Sequence, residues 1–255
     1  MSNASSKAKK AADSKASFAE EAPKALSPQK ALKYPWGGFG AFVLILASFI
    51  VLPIVAQLII SVIPYAAGWD APRAERWLEH SAFANFLYVV AVEALTLGTL
   101  LGFIRFKKTR FAKAVGLRRP QWSDLGQALL GVVVYFGLFA AVLLVVGGLL
   151  PIDTSKEQAI GFERGIGGVD LALAFASLVV LPPIVEEIVF RGFLFGTLRG
   201  RGLTLVSATL VTSVFFGALH LFGSGDGTLL WIAFIDTFVL SLVLCYVREK
   251  TGSIW

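Results

Sequence analysis

Six apolar stretches, each about twenty residues or longer, decide most of what this chain can fold into. A helix needs about 20 apolar residues to cross the hydrocarbon of a bilayer. The stretches run from 38 to about 67, 83 to 106, 125 to 150, 169 to about 198, 203 to 222 and 229 to 247. Pro53 should kink the first, and Pro182 and Pro183 interrupt the fourth. The predicted fold is therefore all-α, a polytopic membrane bundle of about six transmembrane helices. Composition agrees. The chain is 56% hydrophobic and only 16% charged, against roughly 45–50% and about 25% in soluble domains.

Positive charge is sorted along the chain in a way that fixes a topology. Residues 1–35 hold seven Lys and almost no aromatics, so they read as a disordered basic tail that cannot bury a core. The charged region is too long for a signal peptide. Residues 36–255 form the bundle. The connection after the second span carries Arg105, Lys107, Lys108, Arg110, Lys113, Arg118 and Arg119. Those after the first and third carry two basic residues each, Arg73 with Arg76 and Lys156 with Arg164. Cytoplasmic loops hold the excess of Lys and Arg. The tail and the Arg118-Arg119 loop are thus expected in the cytoplasm, with the protein in a plasma (cytoplasmic) membrane.

Four acidic residues fall inside the spans: Glu93, Glu186, Glu187 and Asp236. Charges in hydrocarbon are costly, so each is a candidate functional residue. Glu186 and Glu187 follow Pro182-Pro183 and precede Arg191. Proline is tolerated in the first turn of a helix. Pro183 can therefore open a new segment with both glutamates near its start, where the helix terminus favours negative charge. Arg191, four residues after Glu187, lies on the same face and can pair with it. Glu186 sits about 100° round the helix, free to face a cavity and act as a general base on water. A structural Glu–Arg network is the other reading of the same spacing.

His220 closes the fifth span, one turn after Gly217, which leaves room for another group to approach. It could be a helix–helix hydrogen-bond partner, a metal ligand or a partner of the catalytic water. His80, beside Glu79 in the first outward loop, reads as an ordinary solvated residue. Glu93 and Asp236 carry no spacing signal. Glu93 could line the cavity, and Asp236 could face the His220 region. The single cysteine, Cys245, excludes an internal disulfide and reads as packing. Gly98 and Gly102, four residues apart, read as a close helix contact.

Glu186-Glu187-x-x-x-Arg191 followed by Phe216-x-x-x-His220 resembles the CPBP family of intramembrane proteases, which includes type II CAAX prenyl endopeptidases and bacteriocin-processing or immunity proteins. The Val-Gly-Leu-Arg-Arg-Pro stretch at 115–120 is similar to the family's cytoplasmic loop. Lys250-Thr-Gly-Ser-Ile-Trp255 looks like the lead-in to its last catalytic helix. The resemblance covers about 80–255. It implies a peptide hydrolase in which Glu186 is the base and His220 its partner, with Glu187 and Arg191 tuning the site. A divalent metal such as zinc, held by Glu186 and His220, is one cofactor it allows; a glutamate-driven water mechanism without metal is the other. The family pattern continues with a His-x-x-x-Asn-like motif after this point, so the chain is expected to be truncated before the last catalytic helix.

The expected function is cleavage of a membrane-embedded or prenylated peptide substrate, with the bilayer as the other partner and no nucleic acid. A non-catalytic membrane binding or bacteriocin-immunity protein is the alternative. A small proton-coupled transporter is a third, disfavoured by the lack of an inverted repeat.

Overall fold

A computed structural model describes residues 34–149, 162, 165–222 and 227–255. Residues 1–33 of the predicted tail, Lys156, Arg164 and residues 223–226 of the fifth connection lie outside these. Among the described residues every regular element is helical. The elements are α1 Gly38–Ala66, α2 Ala71–His80, α3 Ala82–Phe106, α4 Phe111–Val115, α5 Trp122–Leu149, α6 Gly168–Gly200, α7 Leu205–Leu219 and α8 Trp231–Thr251.

Five of them, α1, α3, α5, α6 and α8, are long and apolar enough to cross a membrane. α7 is apolar but has 15 residues, about 22 Å at 1.5 Å per residue, against a hydrocarbon core of about 30 Å. The expected six spans are thus five of full length and one shorter helix. The protein is an integral multi-pass membrane protein built as an all-α bundle. Its outer surface shows why water is the wrong solvent. On α5 only Asp124 and Gly131 are buried, while Val133, Leu144 and Leu149 stand well exposed. A helix apolar all round, with so little of it packed, belongs against lipid.

Fixed contacts gather the helix ends on one side. The Tyr34 hydroxyl, just before α1, donates to the Ala114 carbonyl beyond α3 at 3.0 Å. Burial raises the Tyr34 pKa, with Arg248 opposing more weakly, so the phenol stays a donor at neutral pH. Arg118, ahead of α5, pairs with Asp124 at 2.6 Å and donates to the Thr251 carbonyl at the end of α8. Arg199, at the end of α6, meets Glu249 at 2.5 Å and donates to the Leu203 carbonyl just before α7. So α1, α5 and α7 begin at this end, and α3, α6 and α8 finish there.

α6 is the hub. Its residues Phe190, Arg191, Phe193 and Leu194 are buried against Trp36, Phe103, Phe215 and Phe216. The Trp36 indole donates to Thr197 Oγ1 at 2.8 Å. Contrary to the sequence expectation, Pro182 and Pro183 do not start a separate helix. The chain is helical continuously from Gly168 to Gly200. Prolines lack the N–H an α-helix needs, and the turn ahead of them widens into a π-segment, Ala176–Val180, whose following Leu181 N–H donates five residues back to Ala176. A second π-segment, Glu187–Leu194, follows. Both glutamates are therefore mid-helix, and a helix terminus does not stabilise them.

Two elements were missed. The first connection, read as a loop, contains the amphipathic α2, capped by the Asp70 carboxylate on the Arg73 N–H. The basic loop after α3 contains α4, whose Ala114 and Val115 are buried. Gly98 and Gly102 are corrected as well: a Cβ at either would meet nothing within 4 Å, so neither marks a close contact. The close approaches are elsewhere. A Cβ on Gly192 would lie 2.8 Å from the Val115 Cβ and carbonyl.

Candidate active site

Glu186 stands near the middle of α6, roughly 20 Å from its Gly200 end at 1.5 Å per residue. Its Oε1 is 3.9 Å from His220 Nε2, and both side chains are 24% exposed. That separation is too long for a direct hydrogen bond. It suits one water molecule touching both groups. His220 lies at the C-terminal cap of α7. Its Nδ1 is 2.9 Å from the Phe216 carbonyl oxygen one turn earlier. A carbonyl only accepts, so Nδ1 carries a proton, and in the neutral ring Nε2 presents its lone pair towards Glu186.

Glu187 faces the other way round the helix. Its Oε1 is 3.1 Å from Arg191 Nη1, an i,i+4 pair. Arg191 is 1% exposed, and its guanidinium carbon lies 4.3 Å from the Phe216 ring centroid. The same ring meets His220 edge-on at 4.7 Å. Phe216 thus joins the two halves of the site: its carbonyl orients His220 and its ring carries Arg191. The spacing Phe216-x-x-x-His220 pointed to this residue without giving either reason. Gly217 explains how α7 comes so close to α8, since a Cβ there would sit 3.0 Å from the Phe234 ring.

The remaining candidates separate. Glu93, half-buried in α3, makes no hydrogen bond or ion pair among the described residues, and its electrostatic neighbour is Glu186. Asp236 accepts a hydrogen bond from the Tyr135 hydroxyl, tying α8 to α5. His80 sits exposed at the end of α2, 4.0 Å from Glu79. Cys245 is fully buried. A catalytic zinc takes three protein ligands. Among the described residues no three of His, Cys, Asp and Glu gather within reach of one ion. Glu186 and His220 alone do not make a zinc centre.

No curated protein and no solved structure matches the chain. Residues 168–255, from the first turn of α6 through α8 to Trp255, match the family model described as type II CAAX prenyl endopeptidase Rce1-like. That stretch, about a third of the chain, contains Glu186, Glu187, Arg191, Phe216 and His220, and over it the chain is similar to that family of proteases.

Proposed function

We propose that the protein is an intramembrane endopeptidase that cleaves a membrane-embedded or lipidated peptide with a water activated by Glu186 and His220. The observation that carries this reading is the pairing of these two groups across α6 and α7, 3.9 Å apart, with His220 held by the Phe216 carbonyl. A water between them donates one hydrogen bond to the Glu186 carboxylate and the other to His220 Nε2. Its oxygen lone pair is then free for a peptide carbonyl. Glu186 takes the proton as the new C–O bond forms and can return it to the leaving amine. The Arg191–Glu187 pair and the Phe216 ring fix this arrangement in a medium where unpaired charge is expensive. Glu187 and Arg191 act here as positioning residues.

The family description, type II CAAX prenyl endopeptidase, supports a prenylated peptide as the substrate class; such a chain is carried on the membrane by its own lipid. The charge bias supports a cytoplasmic side for the tail and the Arg118-Arg119 loop. The test is cleavage of a lipidated reporter peptide by the purified protein in liposomes. General acid–base groups supply about 10²- to 10⁴-fold. Glu186→Gln and His220→Ala should each lose at least about 10²-fold in kcat at unchanged expression. Cleavage at the wild-type rate in both variants would sink the assignment. Wild-type protein that binds the peptide without cutting it would move the reading to a non-catalytic binding role.

A further inference from the structure

The end of α3 and the start of α4 carry five cations in nine residues, Arg105, Lys107, Lys108, Arg110 and Lys113, and no acid. Two other arginines at this end of the bundle have carboxylates: Arg118 meets Asp124 and Arg199 meets Glu249. Among the described residues Arg105, Lys108, Arg110 and Lys113 make no ion pair, and all four are exposed. Their base is fixed. Phe111 packs on the core, Ala114 and Val115 are buried, the Tyr34 hydroxyl donates to the Ala114 carbonyl, and Val115 lies against Gly192 of α6. With cations outside and apolar side chains inside, α4 is a small platform rather than a loose loop. Lys108 is an unusual residue for its place. It follows α3 with a φ of +54°, the one non-glycine residue in the left-handed region among the described residues. Its N–H donates to the Arg105 carbonyl at 2.8 Å, and the Thr109 N–H donates to the Ile104 carbonyl at 3.1 Å. That pair of bonds is a helix ending at which glycine is usual, because a Cβ is disfavoured there. A lysine in this position gives up backbone ease and keeps a charge.

We propose that this platform binds the headgroups of anionic phospholipids, with Arg105, Lys108, Arg110 and Lys113 as the phosphate contacts. Its position argues for a lipid rather than an acidic protein. The patch begins at the last turn of a helix long enough to cross the membrane. There Phe106 stands 79% exposed, and the Lys107 ammonium lies 5.6 Å from its ring centroid. An apolar ring and a cation side by side at the end of a span suit acyl chain and headgroup together. Clusters of roughly four to eight Lys and Arg just outside a span attract anionic lipid, and the attraction is lost beyond a Debye length. Headgroups seated there also hold α4, through Val115, on α6 beside Arg191. The proposal stands apart from the chemistry of Glu186.

The experiment is a competition. The full chain in detergent is given equal amounts of phosphatidylglycerol and phosphatidylcholine with matched acyl chains, and native mass spectrometry counts the lipids it retains. The wild type should keep phosphatidylglycerol in clear excess. Lys108→Gly should weaken that excess by about fivefold, the worth of one cation near an anionic surface. Its thermal midpoint in lipid-free detergent should hold or rise, because glycine takes this backbone freely. Lys108→Arg keeps the charge and should keep the excess. The triple variant Arg105→Gln, Arg110→Gln, Lys113→Gln should lose nearly all of it. Equal retention of the two lipids by the wild type overturns the proposal. So does an excess that Lys108→Gly leaves unchanged, or one that survives the triple variant, in which the seven lysines of the tail remain. Displacement by soluble glycerol phosphate as readily as by the lipid would make this a free-anion site. Capture of an acidic peptide with no preference between the lipids would make it a protein-docking face. Either result also overturns the proposal.

Discussion

Arg191 holds its charge at a position that is 1% exposed, and among the described residues its Nε and Nη2 have no hydrogen-bond partner. Among the described residues the Glu187 carboxylate pairs with it, the Phe216 ring lies against it, and Glu186 is a further electrostatic neighbour. Breaking a buried pair by removing one partner costs about 3–5 kcal/mol, whereas replacing both by apolar groups is often neutral or stabilising. Glu187 is one-quarter exposed, so the lower end applies. Arg191→Met should therefore lower the thermal midpoint in detergent clearly, and the double variant Arg191→Met, Glu187→Leu should recover much of it. If the pair positions the site, the recovered double variant will still cleave poorly. A double variant that is stable and fully active would reduce the pair to a packing device. A milder change isolates the ring. Phe216→Leu keeps the carbonyl that orients His220 and removes an arginine contact worth about 0.5–2 kcal/mol, so stability should fall by that order. The spacing of Glu187 and Arg191 made their contact readable, because i and i+4 share a face in any helix. What spacing alone could not show is that Glu186 faces His220 on another helix, since no local period encodes which face of α6 meets α7.

At the scale of elements, the apolar runs located the spans to within a few residues, because hydrophobic length is set by the bilayer and survives any packing detail. The two π-segments of α6 were not readable. Pro182 and Pro183 announce a missing pair of donors, and either a break or a widened turn satisfies that; packing on both sides of α6 selects the widened turn. α4 escaped notice because five residues inside a strongly basic connection carry too little periodicity to register. Its consequence is testable. The buried Ala114 and Val115 lean on Gly192, and the Tyr34 hydroxyl reaches Ala114. In an exposed helix Gly→Ala gains about 1 kcal/mol. At Gly192 the new Cβ would press on backbone and Cβ of Val115 at 2.8 Å, and overpacking costs about 1–3 kcal/mol. Gly192→Ala should thus destabilise on balance. Tyr34→Phe, which leaves the Ala114 carbonyl short of a buried donor, should cost about 1 kcal/mol. Thermal unfolding in detergent measures both, and a stabilised Gly192→Ala would show that α4 is not held against α6 in solution.

For the molecule as a whole, the contacts at the helix ends and the charge pattern point to one arrangement. The hydrogen bonds and ion pairs from Tyr34, Arg118 and Arg199 collect the starts of α1, α5 and α7 and the ends of α3, α6 and α8 at one end of the bundle. The seven basic residues from Arg105 to Arg119 belong to that same end. Cytoplasmic loops hold the excess of Lys and Arg, so this end is expected on the cytoplasmic side. α2 joins α1 to α3 and must lie at the opposite end. Its Trp77 packs edge-on against Trp69, and Arg73 lies over the Trp69 ring, the aromatic and basic combination that settles at a membrane interface. Cysteine labelling decides the matter. Native Cys245 is fully buried and should stay silent to a membrane-impermeant maleimide. A cysteine replacing Lys113 should react only in inverted vesicles, and one replacing Glu75 only in intact spheroplasts, since both positions are exposed. The reverse pattern would turn the bundle over and place the Arg118-Arg119 end outside the cell, away from any cytoplasmic substrate. Labelling of both positions from the same side would be more damaging, because α1 and α3 could not then both cross the bilayer, and the α6–α7 site would lose the membrane frame that makes Glu186 and His220 costly to keep.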